Sequence, residues 1–240
     1  LGERIYKKIG FFITCFLDII FPKASYCTVC KRILIDNKNF ICSGCLTQIR
    51  FANHQCRRCG EIIDSFPCKN CYSFKGFYDE VYSVCLYEGL ARDMILRLKY
   101  KDDRDISITM AYLIYDILYK NNVCYDFITY VPSSKVRDRK RGYNHSKLIA
   151  IEISNITGKP VKDILIRIKD TKPQVLFDGD ARWYNVKDVF KCEEPVDNKV
   201  VLLVDDVVTT GATVSYCAKS LKEKGAKKVI VASFAKSTLC

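Results

Sequence analysis

Two adjacent acids, Asp205 and Asp206, follow the apolar run Leu202-Leu203-Val204 in the stretch LLVDDVVTTGAT, residues 202–213. Thr209 and Thr210 precede Gly211, and Ala212 and Thr213 follow it. The amides of 209–213, the threonine hydroxyls and the N-terminus of a following helix form a cradle for phosphate. Gly211 allows the backbone to approach the ligand closely. Phosphate repels carboxylates, so the acids must face something else: sugar hydroxyls, or a Mg²⁺ shared with the ligand. A ribose 5-phosphate suits both halves. A plain strand-to-helix turn with threonine caps leaves the acids unexplained. An Asp-Asp after a strand also occurs in Walker B and receiver sites. The chain has no G-x-x-x-x-G-K-[ST] and no G-x-G-x-x-G, which removes the P-loop and Rossmann readings.

The second chemistry is that of sulfur. Eight of the 14 cysteines form four C-x-x-C pairs: Cys27/Cys30, Cys42/Cys45, Cys56/Cys59 and Cys68/Cys71. Each such turn aims two sulfurs at one point, and two turns complete a tetrahedral thiolate shell for zinc. Eight ligands suit two closed structural sites, and a short segment with few large aliphatics folds on metal rather than on burial. Consecutive pairing gives Cys27, Cys30, Cys42 and Cys45 on one zinc, and Cys56, Cys59, Cys68 and Cys71 on the other; a cross-brace would interleave them. The short last gap, in CGEIIDSFPC, favours the consecutive scheme. His54, beside Cys56, reads as a bystander. Redox C-x-x-C chemistry would call for a thioredoxin-like context that the sequence lacks.

A third feature is KVRDRKRG, where Lys135, Arg137, Arg139, Lys140 and Arg141 crowd into one loop. Most charge runs are solvated. At the carboxyl end of a sheet, beside a phosphate cradle, pyrophosphate or nucleic-acid phosphate is the better partner, because arginine forks suit both. The formal charge of +12 falls to roughly +8 once eight thiolates hold two zinc ions, and it still favours polyanions.

The elements that must position these groups follow from hydrophobic pattern. VYSVCLY (81–87), DFITYVP (126–132), ILIRI (164–168), KVVLLV (199–204) and KVIVASFA (228–235) read as strands. The last two are apolar throughout, as in strands covered on both faces. Helices are expected over 90–100, 106–119, 144–158 and 213–224. Met110, Leu113, Ile114, Ile117 and Leu118 line one helical stripe, and Val214, Cys217, Ala218 and Leu221 another. Residues 169–196 read as polar and irregular. At the start, Ile5, Ile9, Phe12, Phe16 and Ile20 recur at helical spacing. The apolar run there is too short to span a bilayer and carries Asp18, so a packing helix is expected over 1–21. The result is an α/β chain with a largely parallel sheet flanked by helices, divided into that N-terminal helix, a double zinc-ribbon module (22–76) and a larger domain (77–240). The clustering of the cysteines points to a reducing, cytoplasmic setting.

The stretch 201–213 resembles the PRPP-binding motif of type I phosphoribosyltransferases. Taken with the double zinc ribbon, LRLKYKDDRD (96–105), VPSSKVRDRKRGYNHS (131–146) and KPQVLFDGDARWYNV (172–186), the chain resembles the ComF (ComFC-like) competence family. The resemblance implies a type I phosphoribosyltransferase-like fold. Asp205 and Asp206 would hold the ribose hydroxyls, with Mg²⁺ accompanying PRPP, and Thr209, Thr210, Gly211, Ala212 and Thr213 the 5-phosphate. Pro132, Ser133, Ser134 and Lys135 would occupy the pyrophosphate loop. Arg137, Arg141, Gly142 and Asn144 match its signature, and Gln174 and Arg182 a loop over the site. His145 stands where the family commonly has Gln. Two functions of different class remain open. One is handling of incoming single-stranded DNA in natural transformation, beside a ComFA-like helicase. The other is a working phosphoribosyltransferase, for which the sequence shows no acceptor pocket. A third reading has the ribbons only dock a protein partner. Phe74, Phe77, Tyr78 and Tyr143 could stack on bases, but aromatics near a domain junction are more often core.

Overall fold

The computed structural model of the chain describes residues 26–34, 40–63, 67–72, 74, 76–134, 142–169, 183–184 and 186–237. The helix expected over 1–21 lies outside them. In chain order the elements are α1 (Ser43–Leu46), β1 (Glu80–Leu86), α2 (Gly89–Tyr100), α3 (Ile106–Lys120), β2 (Phe127–Tyr130), α4 (His145–Thr157), β3 (Leu165–Arg167), β4 (Phe190–Cys192), β5 (Val200–Val208), α5 (Ala212–Glu223) and β6 (Lys228–Lys236).

Four strands form one parallel sheet in the order β1-β6-β5-β2. Along β5, Leu202 and Val204 belong to one core and Val201 and Leu203 to the other. The unbroken apolar run is therefore a strand buried on two faces. On the first face Met94, Ile95 and Leu98 of α2, Met110 and Ile114 of α3, and Ile149 and Ile153 of α4 close over the sheet. On the second, the stripe Val214, Cys217, Ala218 and Leu221 of α5 packs against Val229 and Val231. Gly158 ends α4 in the left-handed conformation (φ 70°), its amide returning to the Ser154 carbonyl at 2.8 Å.

Two expectations change. ILIRI does not join the main sheet: β3 pairs antiparallel with β4, which lies inside the stretch read as irregular. Phe190 and Cys192 alternate with exposed Lys191, and they pack on the α5 side of the sheet. Three residues are too short to register as a pattern among polar neighbours. No helix among the described residues is long and apolar enough to cross a membrane.

The cysteine segment docks on the open edge of β1. Ala52 donates to the Val84 carbonyl, Leu86 to that of Arg50, and Val81 to that of Arg57, at 2.8–2.9 Å. These bonds cover an edge that would otherwise recruit another strand.

Candidate functional site

Asp205 and Asp206 sit within β5 rather than beyond it. The strand continues through Val207 and Val208, which pair with Ala235 and Lys236 of β6. The expected end at 204 moves because β6 is long enough to supply those partners. Helix α5 begins at Ala212, so the link between strand and helix is only Thr209-Thr210-Gly211.

Both acids are buried, each with 8% of its surface exposed. Ser146 Oγ donates to Asp205 Oδ1 at 2.9 Å, and the Asp206 amide donates to the same oxygen at 2.9 Å. Asp206 meets the ammonium of Lys99, near the C-terminus of α2. Burial and the Asp206 charge push Asp205 up to about 8. Burial acts on Asp206 in the same sense, but Lys99, with a smaller effect from His145, holds it below the usual carboxylate range. Burial opposes the Lys99 charge, and Asp206 more than restores it, so this ammonium is held above its ordinary value. Burial thus favours the protonated form of Asp205, while Lys99 favours the carboxylate form of Asp206.

Asn144 aligns the neighbouring strand with this pair. Its side chain caps α4, accepting from the Lys147 amide at 3.0 Å, and donates to the Val131 carbonyl at 3.0 Å. One residue thereby ties the end of β2 to the start of α4, which carries Ser146 to Asp205. Ser134, just past β2, is buried, and with Ser133 it lies at the same end of the sheet. Lys135, Arg137 and Arg141 lie outside the described residues, as do Gln174 and Arg182.

On the other side of the acids the chain turns at Gly211, which has φ 79°. A Cβ there would stand 3.3 Å from Tyr78 Oη, so glycine serves both the backbone angle and the close approach. Thr210 Oγ1 accepts from the Ala212 amide at 3.3 Å, and Thr209 offers its carbonyl to Lys236 Nζ at 2.6 Å. Thr213 falls in the first turn of α5. The arrangement sets two buried acids in the strand beside a glycine turn that opens a helix, groups chemically able to accept from hydroxyls and to receive an anion respectively. Sequence reasoning gave no role to Lys99, Ser146 or Lys236, and to Tyr78 only that of a core or stacking aromatic. Lys99 lies within LRLKYKDDRD. Its signal was a lysine in the last turn of a helix that feeds the sheet's carboxyl end.

The eight cysteines gather in two groups, Cys27, Cys30, Cys42 and Cys45, and Cys56, Cys59, Cys68 and Cys71, with all sulfurs of a group within 4.8 Å of one another. Consecutive pairing is therefore the arrangement present, and His54 belongs to neither group. Separations of 3.7 Å (Cys30–Cys42), 3.4 Å (Cys56–Cys71) and 3.5 Å (Cys59–Cys68) fit four sulfurs around a zinc at about 2.3 Å, whose tetrahedral edge is about 3.8 Å.

Comparison with known proteins finds two domain matches. Residues 16–73 match the double zinc ribbon domain and residues 135–238 the phosphoribosyl transferase domain. Competence protein F of Haemophilus influenzae is 29% identical over 224 residues, covering 88% of this chain and 96% of that protein. DNA utilization protein YhgH of Salmonella typhimurium is 29% identical over 213 residues, covering 85% and 94%. Competence protein ComFC of Bacillus subtilis is 25% identical over 203 residues, covering 81% and 82%. These relatives follow the chain through both the ribbons and the phosphoribosyltransferase-like domain, and in that arrangement the chain is similar to the competence proteins F and ComFC.

Proposed function

We propose that the protein acts in DNA uptake during natural transformation, handling incoming single-stranded DNA in the cytoplasm, and that the site at Asp205 and Asp206 binds PRPP. The observation that carries the ligand reading is the buried acid pair, braced by Ser146 and Lys99, with Gly211 and its turn five residues after Asp206. Carboxylates accept from the vicinal hydroxyls of a ribose, and the turn with the start of α5 receives its 5-phosphate. Ser133 and Ser134, followed by Lys135, Arg137 and Arg141, take the pyrophosphate. Magnesium bound with PRPP would offset part of the charge that its phosphates bring toward the acids. Lys99 already neutralises Asp206, so the sugar meets a pair carrying little net charge.

The DNA reading is supported by the names of the relatives, Competence protein F and DNA utilization protein YhgH, and by the +12 formal charge. Tyr72 on the second ribbon is 88% exposed and Tyr184 is 81% exposed; rings so placed suit stacking with unpaired bases. A ComFA-like helicase is the partner that the family resemblance suggests. A working phosphoribosyltransferase is the second reading, favoured by the match of residues 135–238 to the phosphoribosyl transferase domain.

Calorimetric titration with PRPP and Mg²⁺ tests the site. Wild type is expected to bind, and Asp205→Asn combined with Asp206→Asn to lose binding while still unfolding cooperatively. Unchanged affinity in the double variant would sink the assignment. Single-stranded DNA binding should weaken linearly in log salt, with a slope set by the phosphates neutralised. Pyrophosphate release on adding nucleobases would establish turnover.

A further inference from the structure

Lys236 is the last residue of β6 and a fully buried cation, 1% exposed. It donates to the Thr209 carbonyl at 2.6 Å and pairs with Glu61 at 3.0 Å. Glu61 belongs to the second cysteine centre: its carbonyl accepts from the Cys56 amide at 2.8 Å, closing the knuckle between Cys56 and Cys59. A second link runs beside the first. Tyr78 Oη donates to the Cys59 carbonyl at 3.4 Å, and the same oxygen is what a Cβ at Gly211 would meet. The knuckle is itself anchored to the sheet. Gln55 donates to the Gly60 carbonyl and to Ser83 Oγ, each at 3.1 Å, and accepts from the Ser83 amide at 2.9 Å.

From this geometry we infer that the second ribbon positions the loop that receives the anion, with Lys236, Glu61 and Tyr78 as its positioning residues. The inference rests on the reading of residues 209–213 as the phosphate cradle. A trans peptide points its carbonyl and its N–H to opposite edges. Lys236 fixes the Thr209 carbonyl, so it also fixes the direction of the Thr210 N–H, one of the cradle's donors. Glu61 holds the ammonium in place and balances its charge. Tyr78 backs the Gly211 turn from the ribbon side. A donor array needs no reorganisation when the ligand arrives only if something rigid holds it beforehand. A metal-closed knuckle is such a support, because its sulfurs fix their own backbone. Coupling of this kind is reciprocal: if the knuckle orders the loop, a ligand on the loop orders the knuckle.

The test compares Lys236→Met, Glu61→Gln and Tyr78→Phe with wild type in the zinc-loaded, full-length chain. Amide exchange over 208–213 is followed without ligand, and PRPP–Mg²⁺ affinity by calorimetry. Lys236→Met is expected to speed exchange of the loop amides and to weaken PRPP binding on the order of tenfold, within the range usual for coupled sites. Zinc content should stay at wild-type level. Glu61→Gln keeps the size and removes the charge, and is expected to move both readouts in the same direction by less. PRPP should slow exchange at 56–61 in wild type and not in Lys236→Met. Loop exchange unchanged in both Lys236→Met and Glu61→Gln would overturn the inference, whatever PRPP does. Faster loop exchange with no PRPP binding by wild type would uphold the positioning and remove the ligand instead. If Lys236→Met proves unfolded, Glu61→Gln and Tyr78→Phe decide alone.

Discussion

The two cysteine ribbons open with the same turn and are tied to the rest of the molecule in opposite ways. In the first knuckle Cys27 N donates to Arg32 O and Lys31 N to Cys27 O; in the second Cys56 N donates to Glu61 O and Gly60 N to Cys56 O. Each is closed by one antiparallel bridge, Tyr26–Ile33 or Gln55–Ile62. Beyond that the two diverge. Cys27, Val29, Ile41, Cys45 and Ile49 join the main core with Met94 and Leu98, and Arg97 Nη1 donates to Val29 O at 2.8 Å. Cys56, Cys59 and Cys68 keep a small cluster of their own and reach the larger domain through Gln55, Tyr78 and Glu61. The charges at the knuckle are reversed as well. Lys31 faces Asp103 and Asp105, whereas Glu61 faces Lys236. One ribbon is built into the apolar core, the other is fastened by polar groups to the edge of β1 and to the 209–211 loop. The same metal shell can thus serve stability in one place and geometry in another.

The strongest way to break that contrast is to open each centre separately. Structural zinc in small Cys-rich modules is worth about 10–16 kcal/mol of apparent folding free energy, so chelation should melt the whole cysteine segment. Cys45→Ser strikes a ligand in the shared core. It is expected to lower the melting temperature of the α/β domain as well as the zinc content. Cys68→Ser should cost one zinc and leave the main unfolding transition closer to wild type. Metal analysis with calorimetric unfolding reads both, and equal depression by the two variants would erase the distinction.

A smaller effect sharpens it. Arg97 donates to Asp103 through Nε at 3.1 Å as well as to Val29 O. Arg97→Met keeps much of the stem and leaves Asp103, 17% exposed, with Lys31 as its remaining cation. Breaking a part-buried charged contact of this sort costs about 2–3 kcal/mol. Denaturant unfolding should show that loss, with no change in amide exchange over 208–213. Accelerated loop exchange in Arg97→Met would show that the first ribbon also governs the cradle.

How far the sequence could be read follows the same division. Spacing alone paired the cysteines, because a C-x-x-C turn and a tetrahedral shell leave few arrangements. Burial on two faces made β5 and β6 legible as strands. The acids and Gly211 stood out because an Asp-Asp in an apolar run has few structural explanations. What escaped depends on contacts between distant segments. Lys99 meets Asp206, Ser146 meets Asp205 and Lys236 meets Thr209 and Glu61 only once the sheet is assembled. A lysine at the end of an apolar strand carries no local sign that it will be buried. β4 escaped because Phe190 and Cys192 are strand residues only by virtue of β3 and α5.

The smallest effect separates the two halves of the site by pH. Asp205, on the carboxylate half, is pushed up to about 8 by burial and by Asp206, against an ordinary value of about 3.9 in an unfolded chain. Between those values the native state keeps a proton that the unfolded state has lost, so stability must fall as pH rises through that window and level off above it. Melting temperatures from pH 6 to 9 should decline in wild type by a few degrees more than in Asp205→Asn, about what a shift of one or two kcal/mol produces in a chain of this size. Parallel curves would mean that Asp205 is ionised in the fold. Ligand binding carries the same sign. If ribose hydroxyls require the carboxylate, PRPP–Mg²⁺ affinity rises toward pH 8 by up to about tenfold per unit, and Asp205→Asn abolishes the rise. The loop half contains no such proton. Methyl phosphate, a monoester, held there should bind equally between pH 7.5 and 9, above its second ionisation near 6. A phosphate affinity that followed Asp205 would show that the acids and the cradle act as one unit.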